Sequence, residues 1–78
     1  MNISFGRGLV KIPSKNQYFN PDYVQTISTQ DNEAYILMKD CICIEGIKAT
    51  PDNIAKACVE AQNTGKTVEI KEKLYTFG

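Results

Sequence analysis

The sequence predicts a small α+β domain: an antiparallel β-meander with one α-helix packed on one face. Three observations predict it. Residues 33–47, EAYILMKDCICIEGI, hold two short apolar runs rich in aromatic and β-branched side chains, broken by Lys39-Asp40. Residues 50–65 carry the one strong helix signal of the chain. In the last stretch Val68 and Ile70 alternate with Glu69 and Lys71, the period of a half-exposed strand. A length of 78 residues accommodates one small domain and not two.

Taken in order, residues 1–12 read as a strand interrupted at Gly6-Arg7-Gly8. Ile3 and Phe5 share a face before the interruption, and Leu9, Val10 and Ile12 resume the apolar signal after it. Glycine permits a bulge or tight turn there. Two glycines beside an arginine make no phosphate-binding motif. Residues 13–22, with Pro13 and Asn20-Pro21-Asp22, read as a loop. Residues 23–29 read as a strand on the β-propensity of Val24, Thr26 and Ile27. Residues 30–32 turn the chain into the apolar hairpin.

In that hairpin a two-residue loop at Lys39-Asp40 is expected. Ala34, Ile36 and Met38 then face one way, and Tyr35 and Leu37 the other. In the second strand Ile42 and Ile44 share one side, and Cys41, Cys43 and Ile47 the other. Neither face is polar, so both call for cover. The helix has Thr50 as N-cap, Pro51 in the first position, Asp52 at the positive end of the dipole and Gly65 just past its end. Ile54, Ala57, Cys58 and Ala61 form its buried side, and Lys56, Glu60 and Asn63 its polar side.

Nine basic and nine acidic residues cancel, so net charge argues for no nucleic acid, anionic membrane or acidic partner. No histidine is present, which removes the commonest general base and a favoured zinc ligand. Three cysteines, no apolar leader and no membrane-length apolar run fit a cytoplasmic protein with reduced thiols. Cys41-x-Cys43 could meet Cys58 if the helix packs on their side. Three thiols without histidine still fall short of a zinc site, and no cofactor or metal is expected. Asp31, Glu33, Asp40 and Glu45 lie at turns and strand ends and form no acid–base pair. No serine or cysteine has a histidine to activate it, so no enzymatic activity is expected.

The suggestive local feature is the trio Tyr18, Phe19 and Tyr23 around the 13–22 loop, with Arg7, Lys11 and Lys15 near in sequence. These six residues are the expected contact surface of a non-catalytic binding module that occupies or sequesters a protein partner. A homo-oligomer is expected, because one helix covers one sheet face only. The alternative is a nucleotide or nucleic-acid binder that stacks bases on the same aromatics. Asn2-Ile3-Ser4-Phe5-Gly6, the Ala49-Thr50-Pro51 helix start and Gly65-x-x-Val68-Glu69 resemble the RemA-type biofilm-matrix regulators. The resemblance covers less than half of the chain and implies that same alternative, a small oligomeric DNA-binding protein. Arg7 is the only arginine, so the arginine-rich segment such a protein would set on DNA is missing.

Overall fold

The computed structural model describes residues 8–72. It contains one α-helix and six strands in two three-stranded sheets, an α+β arrangement. The meander is present. Strands β3 (Val24–Gln30), β4 (Glu33–Met38) and β5 (Cys43–Ile47) pair antiparallel in sequence order. Asp31 and Asn32 join β3 to β4 with φ of 54° and 67°. Positive φ at both positions is what a two-residue primed hairpin turn requires, and aspartate and asparagine tolerate it best after glycine.

The β4–β5 connection differs from the expected two-residue loop. Cys41 N donates to the Met38 carbonyl at 3.0 Å, and Met38 N donates to the Ile42 carbonyl at 2.8 Å. The loop is therefore three residues, Lys39-Asp40-Cys41, with Cys41 in the left-handed region at φ 72°. This is a turn followed by a bulge, in which cysteine stands where glycine is usual.

A second bulge changes the facing of β5. Ala34 pairs with Ile47, while Ile36 pairs with Ile44, so β5 fits one extra residue between these pairs. Gly46 absorbs it at φ 72°. Ile44 and Ile47, expected on opposite faces, thus point to the same side and are both buried. The inner face carries Ala34, Ile36 and Met38 as expected. The outer face is mixed: Thr26 and Leu37 stand beside Cys43, and Ser28 beside Tyr35. It is less apolar than an unbulged hairpin would be.

Strands β1 (Val10–Ile12), β2 (Gln17–Phe19) and β6 (Val68–Glu69) form the other sheet, in the order β2-β1-β6. The expected loop over residues 13–22 therefore contains a strand. One-turn 3₁₀ segments, Pro13–Lys15 and Pro21–Tyr23, flank it. β1 pairs antiparallel with β2 and parallel with β6. Helix α1 (Pro51–Thr64) begins with Thr50 Oγ1 accepting from Asn53 N at 3.1 Å and ends with Gly65 N donating to the Ala61 carbonyl at 2.9 Å. These caps are the ones the sequence predicts. Ile54, Ala57, Cys58 and Ala61 are its buried side. They join Val10, Ile12 and Phe19 from one sheet, Ile70 just after β6, and Ala34, Ile36, Ile44 and Ile47 from the other sheet in a single core. No helix among the described residues is long and apolar enough to cross a membrane.

One side chain ties the two sheets together. Glu72 Oε1 accepts from Ser14 N at 2.8 Å. Its Oε2 accepts from Ser14 Oγ at 2.7 Å and from Lys48 N at 3.2 Å. Ser14 lies in the β1–β2 connection, and Lys48 directly follows β5. Partial burial pushes this carboxyl up. The hydrogen bonds from Ser14 and Lys48 and the charge of Lys15 outweigh that, and leave it below its ordinary value of 4.5. A carboxylate with a depressed folded-state pKa contributes stability above its unfolded value, and loses it as pH falls through the folded one. Glu72→Gln should thus cost about 1 kcal/mol at neutral pH and nearly nothing below the folded value, as urea melts across pH 2–7 would show. A penalty that stays constant across this range would mean that charge plays no part.

Candidate binding groove

Four large apolar side chains stand exposed among the described residues: Tyr18, Tyr23, Ile42 and Val59. Three of them line one groove. Tyr18 comes from β2, Tyr23 from the following 3₁₀ turn and Ile42 from the residue just before β5. Phe19, Met38 and Ile44, all buried, also line it. The groove encloses about 210 Å³. It is the place where the inner face of the β4–β5 hairpin runs out to solvent.

Local bonds hold the Tyr23 and Ile42 sides of the rim. Asn20 Oδ1 accepts from Asp22 N at 2.9 Å, capping the 3₁₀ turn that presents Tyr23. Gln62 Nε2 on the helix donates to Asp22 Oδ1 at 2.8 Å and fixes that turn from behind. Lys39 N donates to the Tyr23 carbonyl at 2.7 Å, joining the hairpin tip to the tyrosine. Asp40 Oδ1 accepts from Ile42 N at 3.3 Å. The rim is thus set by backbone and capping bonds.

The six residues singled out in the sequence separate in space. Tyr18 and Tyr23 are together at the groove, with about half of each exposed (50% and 53%). Phe19 lines the same groove but is only 6% exposed, because its pairing with Val10 points it into the core. It presents little surface to a partner. Lys11 lies beside Tyr18, with Nζ 5.6 Å from the ring centroid and 4.0 Å from a Glu69 carboxylate oxygen. Lys15 reaches the other way, its Nζ 3.6 Å from where a Cβ on Gly46 would sit. Arg7 lies outside the described residues. Of the two described cations, Lys11 adjoins Tyr18 and Lys15 lies near Gly46, away from the tyrosines.

Residues 38–44 supply the half of the groove that sequence reasoning missed. Met38, Ile42 and Ile44 read as ordinary sheet residues. The available signal was the unlikeliness of a primed turn at Lys39-Asp40, which points to a longer loop that projects Ile42. The thiols do not converge as they might have. Cys43 pairs with Leu37 on the outer face and Cys41 is exposed, whereas Cys58 is buried in the core. Burial pushes the Cys58 thiol up to about 11, which makes it a packing residue at neutral pH.

A second cleft, of about 330 Å³, lies between the β3–β4 turn and the helix start. Asp31, Glu33 and Lys48 line it, and the Thr50 hydroxyl beside them is already engaged by Asn53 N. Its side chains carry opposing charges, and Ala49 is the hydrophobic residue among them. No protein-family model, no curated protein and no solved structure matches this chain.

Proposed function

We propose that this protein is a non-catalytic binding module, working as a homo-oligomer, that occupies a protein partner through the Tyr18–Tyr23–Ile42 groove. The observation that carries the reading is the convergence of three exposed apolar side chains over buried Phe19, Met38 and Ile44. Half-exposed tyrosines on a rigid rim bring large contact area at small entropic cost, the usual composition of an interface hot spot. Among the described residues, the one charged side chain lining the groove is Asp40. Cys58 and Glu72, the groups whose pKa the fold displaces, do not line it. Association of copies is supported by half-buried Tyr35 and Leu37 on the outer sheet face, which one helix cannot cover.

The alternative, stacking of a nucleotide on the tyrosines, is less well supported. Lys11 sits over the Tyr18 ring and is paired with Glu69, so that cation is engaged with its own neighbours.

Affinity capture with wild-type and Tyr23→Ser/Ile42→Ser protein tests the reading. Loss of two hot-spot side chains should weaken retention of a specific protein partner by about tenfold or more. Retention should change little between low and moderate salt. Steep loss with salt would favour the nucleic-acid alternative. Equal retention by both proteins would reject the groove. Sedimentation equilibrium of the wild type tests the oligomer, and a monomer at micromolar concentration would reject that part.

A further inference from the structure

The two sheets end in four edge strands, and three of them are blunted. β2 has three residues between the Pro13 and Pro21 turns, β6 has two, and β5 carries Glu45 and the Gly46 bulge. Short length, proline, charge and bulges are the devices that keep a strand edge from pairing. β3 differs. It is the longest strand described, seven residues, VQTISTQ, without charge, proline or glycine. Its one irregularity lies between Val24 and Thr26, and residues 26–30 pair with 33–37 without a break. Among the described residues β3 pairs with β4 alone.

The bonds of β4 determine which β3 groups point outward. Met38 N donates to the Ile42 carbonyl, so the even-numbered residues of β4 bond β5. The odd-numbered ones, Glu33, Tyr35 and Leu37, then bond Gln30, Ser28 and Thr26. The turn at Asp31-Asn32 agrees, because a two-residue primed turn closes on a bonded pair, here Gln30 and Glu33. Ile27 and Thr29 therefore aim their backbone N–H and C=O away from β4.

We propose that a second copy of this chain pairs with that edge, antiparallel about a two-fold axis at Ser28, so that the two central sheets continue as one. The proposal rests on the reading of the protein as a homo-oligomer and names its contact. Ile27 and Thr29 lie symmetrically about Ser28, so Ile27 of each copy meets Thr29 of the other, and each such pair exchanges two backbone bonds. No charged side chain stands on this edge to repel its own copy. On the inner face the half-buried Ile27 gains cover from the opposing Thr29. On the outer face the small Ser28 meets its symmetry mate beside Tyr35. A strand from another protein would find no charge here to select it, whereas a second copy matches by symmetry.

Ser28→Lys and Ser28→Glu test the register, because in it Ser28 alone faces its own copy. Each variant by itself sets like charges across the axis and should weaken self-association by about tenfold in sedimentation equilibrium. An equimolar mixture of the two should restore association to about the wild-type level. Hydrogen exchange gives a reading that needs no variant. The Ile27 and Thr29 amides should be protected where the wild type is associated and should exchange at least about tenfold faster on dilution, while the Ser28 amide, bonded within the chain, stays slow. A wild type that stays monomeric at micromolar concentration would overturn the proposal together with the homo-oligomer reading. Self-association unchanged in both single variants, or exchange at Ile27 and Thr29 that ignores concentration in an associating wild type, would overturn the edge pairing alone and give the contact to another surface.

Discussion

Gly8→Ala should be among the most damaging single substitutions, costing about 3 kcal/mol. A Cβ on Gly8 would lie 2.0 Å from the Lys66 carbonyl oxygen, 2.6 Å from the Lys66 carbonyl carbon and 2.8 Å from the Ala61 carbonyl oxygen. All three are backbone atoms, so none can swing aside as a side-chain end would. Ala61 and Lys66 bracket the Gly65 cap of the helix. The added methyl must push β1 off the helix end or break that cap. The neighbouring Leu9 carbonyl accepts from Val68 N at 2.9 Å, so the β1–β6 pairing would move with it. Gly65→Ala is the control. Its Cβ meets nothing within 4 Å, and only the φ of 72° opposes it, at roughly 1 kcal/mol. Urea denaturation should rank the two clearly. If Gly8→Ala proves no worse than Gly65→Ala, the close approach of β1 to the helix end is wrong.

Ile36→Ala should cost roughly 2–5 kcal/mol. Ile36 is fully buried at the middle of β4, between Ile27 on β3 and Ile44 on β5. Truncation removes three carbons and leaves a void that flanking strands cannot close without losing their pairing. Its neighbour Leu37 is on the outer face and only half-buried, so Leu37→Ala should cost about 1 kcal/mol. A protein of this size holds on the order of 4–12 kcal/mol in total. The first change should thus unfold a large fraction of molecules near 37 °C, and the second should not. Similar losses from both, read from thermal melts, would show that the assignment of sheet faces is reversed.

The meander, the helix with its caps and the buried alternation of Val68 and Ile70 were legible because each rests on a local pattern. Thr50, Pro51 and Gly65 state the helix bounds by themselves. The facing of β5 was not legible from alternation alone, since Gly46 inserts a residue and turns Ile47 inward. An isolated glycine within a strand is the signal of such a bulge. β2 was hidden because its three residues lie between prolines, and its strand character comes from pairing with β1. For the same reason Phe19 was read as a surface aromatic. The two tyrosines of the groove were visible as a cluster near a loop. Their apolar counterpart, Ile42, was not, because its exposure depends on a bulge at Cys41, a residue with no special preference for left-handed backbone. The Glu72 bonds join positions 58 and 24 residues apart and leave no local trace.

The parallel pairing of β1 with β6 has a consequence for biosynthesis. Val10 cannot meet Val68 until nearly all the intervening chain has left the ribosome. Until then a nascent chain can close the central meander and its helix, while Val10 and Ile12 lack the neighbouring strand that completes their layer. Ring closure over so many residues is slow compared with formation of a local hairpin. Until β6 arrives, β1 has β2 alone beside it in that sheet, and the β1–β6 pairing is the last strand contact among the described residues to form.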